Sequence, residues 1–193
     1  MKSQIVVIAG PSGSGKNSIL EGVMERCPSF EKLVTAATRP IREGEKNGFD
    51  HIFITNEEFL TGIELGDIPE HQYRADRDIY YGVHLPGLMK QKETGKPIIS
   101  EIQIIGAKYL KENHGAITFF IMPDSIDELE RRIRGRGELP EEEIQSRLNI
   151  AKHEIEHEGP WYDHVITNAN GKLENAINSV LEILQKEGFD CSV

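Results

Sequence analysis

Residues 5–17 read Ile-Val-Val-Ile-Ala-Gly-Pro-Ser-Gly-Ser-Gly-Lys-Asn, in which an apolar run leads into a glycine-rich loop and a helical pattern follows from Lys16. The loop glycines Gly10, Gly13 and Gly15 allow successive backbone N–H groups to turn towards phosphate oxygens. The start of the helix adds the positive end of its dipole. This order of strand, loop and helix predicts a phosphate-binding loop, in which Lys16 reaches the β- and γ-phosphates of a nucleoside triphosphate.

One position in this loop departs from the usual pattern. The predicted triphosphate-binding residues are Gly10, Pro11, Ser12, Gly13, Ser14, Gly15, Lys16, Asn17 and Ser18. A Ser or Thr normally follows the lysine and binds Mg²⁺ through its hydroxyl, whereas Asn17 stands there in this chain. The side-chain amide oxygen of Asn17 is therefore a candidate ligand for Mg²⁺ or for its water shell.

Composition and charge narrow the class of protein. The 193 residues suit one compact domain, and 22 Lys+Arg against 32 Asp+Glu give a formal net charge of −10. Such a charge disfavours non-specific binding to nucleic acid or to an anionic membrane. Cys27 and Cys191 lie far apart in sequence and are expected to form no disulfide or metal framework. Together with the lack of a targeting or membrane-spanning pattern, this predicts a cytoplasmic protein, either a monomer or a homodimer.

Short apolar runs alternate with amphipathic helical patterns, which is typical of a parallel sheet covered by helices. We therefore predict a single α/β domain over residues 1–193. Core strands are expected near 4–9, 33–37, 97–103, 116–122 and 164–167, and helices near 16–26, 86–94, 104–113, 125–134, 141–157 and 173–187. Ser125 and Glu128 predict a capping box, and Pro140 before a run of glutamates predicts a helix start.

Two segments interrupt this alternation. Residues 38–84 are rich in Gly, Asp, Arg, His and aromatic residues with short alternating runs, and they predict an inserted, mostly β subdomain. Residues 132–158 carry many charges and are expected to form a mobile helical lid, because they offer too little apolar surface to join the core. The core is then expected to comprise residues 1–37, 85–131 and 159–190.

Arginines in both segments indicate phosphate chemistry. Arg39 and Arg42 lie on either side of a proline turn and suit a second phosphate group. Arg132 and Arg136 lie four residues apart on one predicted helical face, and Arg147 follows further along. A closing lid can deliver such cations to a phosphoryl group in transfer while it excludes water. The alternative is that these are solvated surface arginines on an acidic protein.

Taken together, these motifs resemble the guanylate kinase family in order and spacing, over nearly the whole chain. The matching elements are the phosphate loop, Thr38-Arg39-Pro40 with Arg42, Gly44-Glu45, the Phe-Asp-His-Ile-Phe run at 49–53, Tyr80-Tyr81-Gly82, Arg132, Arg136-Gly137 and Arg147. The family has the P-loop NTPase fold, with an inserted subdomain that binds a nucleoside monophosphate and a helical lid. The resemblance implies phosphoryl transfer from ATP to GMP or dGMP, with Mg²⁺ as the cofactor.

The resemblance also implies a role for individual residues. It places Lys16 and the lid arginines in catalysis, where Arg132, Arg136 and Arg147 clamp the transferred group. It assigns the acceptor phosphate to Arg39, Arg42 and Tyr81, and it places Asn168 beside the adenine of ATP.

The residues expected to contact the acceptor base and phosphate depart from the family pattern at several positions. Glu70 matches the glutamate that accepts hydrogen bonds from guanine, and Thr35 stands where a serine contacts the guanine carbonyl edge. Val83 stands where a second Ser or Thr is usual at that edge, so a hydroxyl contact is lost. His51 replaces a tyrosine that touches the acceptor phosphate, which introduces a pH dependence that tyrosine lacks.

An acidic pair at the end of a core strand is altered as well. The family's Asp-x-Asp appears as Glu101-Ile102-Gln103, near the acceptor. Glu101 retains a negative charge near Mg²⁺, whereas Gln103 cannot act as a carboxylate. Asn17 and Glu101 are therefore the candidate Mg²⁺ ligands.

These departures leave two alternatives open. Val83 and Asn17 also resemble the ribose 1,5-bisphosphate phosphokinases, which share the fold, so the acceptor is either GMP or dGMP or another phosphorylated compound such as that sugar phosphate or a different nucleoside monophosphate. The second alternative is a guanylate-kinase-like binding module without catalysis. Lys16 and the lid arginines favour an enzyme, which would transfer the phosphoryl group in line without a covalent intermediate.

A further motif, His153-Glu154-Ile155-Glu156-His157, matches the H-E-x-x-H pattern of zinc proteases. No third ligand follows at a usable spacing, and the segment lies on a strongly charged predicted helix. We therefore interpret it as a solvated helix rather than a zinc site.

Overall fold

The computed structural model describes residues 4–75, 77–135, 137 and 139–191. The strands, in chain order, are β1 (Ile5–Ala9), β2 (Glu31–Lys32), β3 (Thr35–Ala37), β4 (His51–Phe53), β5 (His71–Arg74), β6 (Ile79–Gly82), β7 (Ile98–Glu101), β8 (Ile117–Met122) and β9 (His164–Thr167). The α-helices are α1 (Lys16–Arg26), α2 (Asn56–Leu65), α3 (Leu85–Glu93), α4 (Ile104–His114), α5 (Ile126–Arg134), α6 (Glu141–His153) and α7 (Leu173–Lys186). A π turn, Glu154–Glu158, and a short 3₁₀ turn, Gly159–Trp161, follow α6.

The core is a parallel sheet in the order β2-β7-β1-β8-β9. Every residue of β1 is buried, and its side chains alternate between two apolar clusters. Val6 and Ile8 pack with residues of α1 and α7 on one face. Ile5 and Val7 pack on the other face with residues of α4 and with Leu88. Helices on both faces explain why β1 reads as a continuous apolar run rather than an alternating one.

A second, smaller sheet has the order β4-β3-β6-β5 and mixes parallel and antiparallel pairs. Helix α2 covers it, and Phe59 of this helix is buried against Ala36 and Ile68. The helix begins at a capping box between Thr55 and Glu58 and ends at Gly66 in the left-handed region. This sheet confirms strand structure between 38 and 84, but the sequence analysis missed α2.

Helices α5 and α6 pack on each other through an apolar cluster of their own. Leu129 and Ile133 of α5 meet Ile144 and Leu148 of α6, all buried. The expectation that the charged segment lacks apolar surface for a core was therefore wrong, because it builds a small one. Helix α6 begins after Pro140, as predicted, with glutamates in its first turn.

The structure corrects other expectations about the elements. The strand predicted at 33–37 does not belong to the core sheet, since its residues Thr35–Ala37 form β3 of the second sheet, and the short core strand β2 lies just before them at Glu31–Lys32. The helix predicted over 141–157 is α-helical only to His153. Ser125 caps α5 by accepting from the Glu128 N–H at 3.1 Å, but the Glu128 carboxylate binds arginines instead of completing a capping box.

Cys27 and Cys191 form a disulfide, with their Cα atoms 4.3 Å apart. The prediction of no disulfide was therefore wrong. That prediction relied on the large separation of the two cysteines in sequence. In the structure, α1 and α7 pack side by side and bring the end of α1 next to the C-terminal residues. Among the described residues, no helix combines the length and apolar character needed to cross a membrane.

Candidate active site

The glycine-rich loop between β1 and α1 lies at the carboxyl edge of the core sheet. Gly10, Gly13 and Gly15 have φ values of +143°, +94° and +89°, a region in which a Cβ atom is strained. A Cβ on Gly10 would collide with the Ile121 carbonyl of the neighbouring strand β8. The Ser14 hydroxyl is buried without a hydrogen-bond partner among the described residues. Glycine is thus required by the loop path, which agrees with a cradle for phosphate oxygens.

Lys16 folds back over this loop. Its Nζ lies 3.5 Å from the Pro11 carbonyl oxygen and 3.4 Å from Glu101 Oε1. Glu101 ends β7, which pairs with β1, so the strand order itself places this carboxylate beside the loop. The ammonium group is thereby held where phosphates on the loop would meet it.

Asn168 and Arg132 brace the loop from the opposite side. The Asn168 side-chain amide donates to the Ser14 carbonyl at 2.8 Å, and this asparagine is buried. Arg132 donates to the Asn168 carbonyl at 2.9 Å and to Glu128 at 2.8 Å. The open cavity beside them, of about 440 Å³, is lined by Gly13, Gly15, Ser18, Arg131, Arg132, Gly135, Asn168, Ala169, Asn170, Gly171 and Leu173. The structure therefore brings Arg132 and Asn168 to the phosphate loop.

The other lid arginines are placed differently. Arg147 donates to Glu143 at 2.6 Å, one turn earlier on α6, so its guanidinium is held on its own helix. Arg136 lies outside the described residues. Arg131, next to Arg132, belongs to a charged cluster that was not predicted from the sequence. Arg131 binds Glu128, and the pair with Arg131 and Arg132 lowers the pKa of the Glu128 carboxyl to about 2.

The second sheet carries a nearly buried arginine on the face that leads to the core. Arg39 binds Glu45 through both guanidinium NH₂ groups, at 2.6 Å each, and its Cζ lies 5.1 Å from the centre of the Phe53 ring. Its Nε is buried without a partner among the described residues. The hydrogen bonds from Arg39 hold the pKa of the Glu45 carboxyl at about 2. Sequence analysis placed Gly44-Glu45 in a motif but did not identify Glu45 as a site residue.

Arg42 is exposed, and its backbone N–H donates to Glu45 at 2.8 Å. Tyr81 lies on β6 opposite Ala37, and its ring centre is 6.1 Å from that of His51. Arg39 and the backbone of Arg42 therefore both bind Glu45, and Tyr81 lies next to Arg39 and His51.

Glu70 and Thr35 lie towards the other end of this face. Val83 N–H donates to Glu70 Oε1 at 2.7 Å, and burial raises the pKa of this carboxyl. Gly106, in the first turn of α4, approaches so closely that a Cβ there would be 3.2 Å from Glu70 Oε1. Since α4 follows β7, this contact places Glu70 beside the same sheet edge as Glu101. Gln103, the N-cap of α4, is exposed there.

The environment of Val83 differs from what was expected of a side chain that contacts the acceptor base. The side chain is fully buried with Ile5, Val7 and Leu88 in the core, so it has no exposed surface to offer a ligand. The contribution of this residue is its backbone N–H, which orients Glu70. Burial in the core explains an apolar side chain at this position.

Glu154 is a site residue that sequence analysis did not identify. It opens the π turn after α6, and one of its carboxylate oxygens is buried without a partner among the described residues. Burial, with repulsion from Glu158, raises its pKa to about 7, and attraction to Lys16 opposes that shift. In the sequence, Glu154 resembles the other acidic residues of the charged helix predicted over 141–157. Only the change from α to π geometry at this residue distinguishes it from them.

The histidines of the H-E-x-x-H motif are exposed, with the His153 and His157 ring centres 4.6 Å apart. Within the described part of the chain, no group of at least three His, Cys, Asp or Glu residues is arranged to hold a metal. The two imidazoles of the motif are therefore exposed, whereas its Glu154 is half-buried.

The fold and site define an α/β protein with a glycine-rich loop at the edge of its parallel sheet and a second, smaller sheet next to which Arg39 is nearly buried. The family model described as Guanylate kinase matches residues 2–187. The chain belongs to the guanylate kinase family.

Individual relatives agree with this assignment. A guanylate kinase of Syntrophus aciditrophicus (strain SB) is 38% identical over 183 residues, which covers 94% of this chain and 86% of that protein. A guanylate kinase of Synechocystis sp. is 33% identical over 188 residues, with 97% and 96% covered. The crystal structure of guanylate kinase from Anaplasma phagocytophilum superposes with a TM-score of 0.67 at 29% identity, over 97% of this chain and 87% of that one.

Proposed function

We propose that this protein transfers the γ-phosphoryl group of ATP to GMP or dGMP, with ADP and GDP or dGDP as products. The observation that supports this most directly is the position of Glu70. It is a half-buried carboxylate on the inserted subdomain, and it packs against the start of α4 beside the sheet edge that carries the phosphate loop. A donor site and an acceptor site therefore share one edge of the core.

Glu70 explains a preference for guanine. The N1–H and 2-amino group of guanine are adjacent donors that suit one carboxylate, whereas adenine presents a lone pair at N1. A buried acceptor left without its donor costs about 1–3 kcal/mol, which favours GMP over AMP. Thr35 supplies a hydroxyl at the same end of the site, and Arg39, Arg42 and Tyr81 supply the contacts for the acceptor phosphate.

Catalysis by this site consists of positioning and charge neutralisation. The acceptor phosphate is already anionic, so no protein base is required to activate it. Lys16 and the glycine loop hold the donor phosphates, and Arg132, Arg136 and Arg147 neutralise the transferred group as α5 and α6 close. Asn17, Ser18 and Glu101 offer oxygen donors that fit Mg²⁺, which prefers one or two protein oxygens together with substrate phosphates. When bound, Mg²⁺ supplies charge neutralisation between the β- and γ-phosphates.

An acceptor panel tests this function. ADP release from Mg-ATP is measured with GMP, dGMP, IMP, AMP, UMP, CMP and ribose 1,5-bisphosphate, and GMP or dGMP is expected to give the highest kcat/KM. Glu70→Gln should reduce kcat/KM for GMP and leave any turnover of the sugar phosphate unchanged, because the sugar phosphate has no base. Faster turnover of ribose 1,5-bisphosphate would contradict the proposal, and GMP binding without turnover on any acceptor would indicate a binding module.

A lysine variant tests the donor site separately. We expect Lys16→Ala to reduce kcat at least about a hundredfold, because a transition-state cation is lost. Lys90→Ala, at an exposed position on α3, is the matched control and should retain wild-type kcat. Near-normal turnover of Lys16→Ala would show that the loop does not hold the ATP phosphates as proposed.

A further inference from the structure

His51 lies between the two ends of the acceptor site. Its Nδ1 is 2.9 Å from the Thr35 hydroxyl oxygen, and the two residues are opposite one another in the parallel pair β3–β4. On its other side, its ring centre lies 5.6 Å from that of Phe53, which Arg39 covers, and 6.1 Å from that of Tyr81. One side chain therefore contacts the hydroxyl at the base end and adjoins the groups at the phosphate end.

The hydrogen bond between His51 and Thr35 has two possible directions. A neutral imidazole with its proton on Nε2 has a lone pair on Nδ1, so the Thr35 hydroxyl donates to the ring and presents only lone pairs to a ligand. An imidazolium carries protons on both nitrogens, so Nδ1–H must donate to the Thr35 oxygen. The hydroxyl hydrogen of Thr35 is then free to donate to a carbonyl oxygen on the ligand.

The charges around His51 come from several elements. Burial lowers the pKa of His51, and so do the positive charges of Arg39, in the turn after β3, and Lys32 on β2. The charge of Glu45, which binds Arg39, and a hydrogen bond with the backbone of Thr35 raise it. Tyr81 faces the ring from β6. The free protein therefore keeps His51 neutral around pH 7, and an anion placed near Arg39 and Tyr81 would favour the imidazolium.

We propose that His51 is a positioning and specificity residue, whose protonation turns the Thr35 hydroxyl into a donor for the 6-oxo group of the acceptor purine and adds a positive charge beside the acceptor phosphate. This inference rests on the proposed function. It assigns a pH-dependent choice of substrate to a residue that need not touch the purine. Because a proton on His51 favours both ends of the same ligand, binding of a 6-oxopurine monophosphate is coupled to proton uptake at His51.

The test compares two acceptors that differ in donor pattern at the 6-position and N1. Dissociation constants of IMP and AMP are measured by calorimetry from about pH 5 to about pH 8, across the range in which histidine titrates. Both ligands carry the same phosphate, so titration of the phosphate cancels in their ratio. We expect the preference for IMP over AMP to rise roughly three- to tenfold towards low pH in the wild type relative to His51→Asn.

Two further variants separate the components. Thr35→Val keeps the shape of Thr35 and removes the hydroxyl, so the His51-dependent change in the IMP preference should disappear. His71→Asn is the matched control, because His71 is an exposed histidine on β5 of the same sheet, and it should behave as wild type. Titration of Glu70 contributes equally to the four proteins, since none of these substitutions alters it.

A direct measurement on the wild type avoids any loss of folding in the variants. The titration of the His51 ring by NMR should shift to higher pH when IMP binds, and by less when AMP binds. The proposal would be overturned if the ratio of the IMP and AMP dissociation constants changed with pH in the same way in wild type and His51→Asn. It would also be overturned if His51 titrated at the same pH with IMP and with AMP bound. GMP turnover at about pH 8 is measured on the same samples. Its absence would contradict the proposed function, whereas turnover with flat ratios would contradict only the role of His51.

Discussion

Arg39 and Glu45 form a nearly buried ion pair, and the pair carries a testable dependence on pH. Glu45 has a folded-state pKa of about 2, below its ordinary value of 4.5, because Arg39 donates to both of its oxygens. A carboxyl with a depressed pKa contributes stability above its ordinary pKa, and that contribution is lost as the pH falls from 4.5 towards 2. Glu45→Gln should therefore lower Tm by several degrees at neutral pH, because it leaves a buried guanidinium without its counter-charge.

The measurement is thermal unfolding of Glu45→Gln and wild type as a function of pH. The difference in Tm should shrink as the pH approaches 2. Glu43→Gln, at an exposed position in the same turn, is the matched control and should unfold as wild type does. A Glu45→Gln protein as stable as wild type at neutral pH would mean that the pair contributes no net stability.

Among individual residues, those whose role depends only on their neighbours in the sequence could be predicted. Gly10 is required by the path of the loop, and Lys16 follows in the same contiguous motif, so both are evident from local sequence. The partnership of Thr35 with His51 depends on the register of two strands separated by a long turn, so no local pattern reveals it. Burial of the Val83 side chain in the core is likewise a property of tertiary packing that no local pattern reveals.

The π turn Glu154–Glu158 begins with a half-buried acid, Glu154, whose carboxyl is influenced by the charge of Lys16. A carboxyl whose folded-state pKa is raised above its unfolded value contributes stability below the unfolded pKa, and this is lost as the pH rises through the folded value. For Glu154 these values are 4.5 and about 7. The folded protein is therefore destabilised by the ionised carboxylate above pH 7.

Glu154→Gln should increase the free energy of unfolding at about pH 8 and leave it unchanged at about pH 4. The shift sets an upper limit of about 3 kcal/mol, and partial exposure of the side chain reduces the expected gain to the order of 1–2 kcal/mol. Urea denaturation at both pH values provides the measurement. Glu156→Gln, an exposed neighbour on the same turn, should show no gain. A loss of stability at the higher pH would instead indicate that ionised Glu154 is stabilised by Lys16.

Helices and strands could be predicted where the apolar pattern is strongly periodic or where clear start and stop residues bound the element. Helix α1 spans Lys16–Arg26 as predicted, and β9 spans His164–Thr167 as predicted. Helix α2 was missed because aromatic and glycine-rich neighbours on both sides suggested strands, although Thr55 and Glu58 form a capping box at its start. The π turn was missed because composition does not distinguish an α-helix from a π turn.

On the scale of the whole molecule, each structural unit is stabilised by an apolar cluster of its own. The core sheet has one cluster on each face, α5 and α6 share a third, and the inserted subdomain holds a fourth around Phe59. Each unit therefore has apolar packing of its own, which the closure proposed above would not disrupt. This arrangement agrees with the proposal that α5 and α6 close over bound nucleotide and deliver arginines such as Arg147, which here pairs with Glu143.

The disulfide links the end of α1 to the C-terminal residues across a sequence separation of 164. It closes most of the chain into one loop, so it restricts the unfolded state far more than the folded one. The chain-entropy model gives a stabilisation on the order of 4–5 kcal/mol for a loop of this size. Reduction, or Cys191→Ser, should therefore lower the free energy of unfolding by up to that amount.

Guanidinium denaturation with and without reductant measures this effect, after mass spectrometry has shown that the oxidised sample contains the Cys27–Cys191 bond. Cys191→Ser is preferred over substitution of Cys27, because Cys191 is at the edge of the core whereas Cys27 is fully buried. Reductant should destabilise the wild type and leave Cys191→Ser unchanged, which serves as the internal control. If the wild type unfolds at the same denaturant concentration in both conditions, the cross-link does not contribute to stability, and the packing of α1 against α7 holds these residues together by itself.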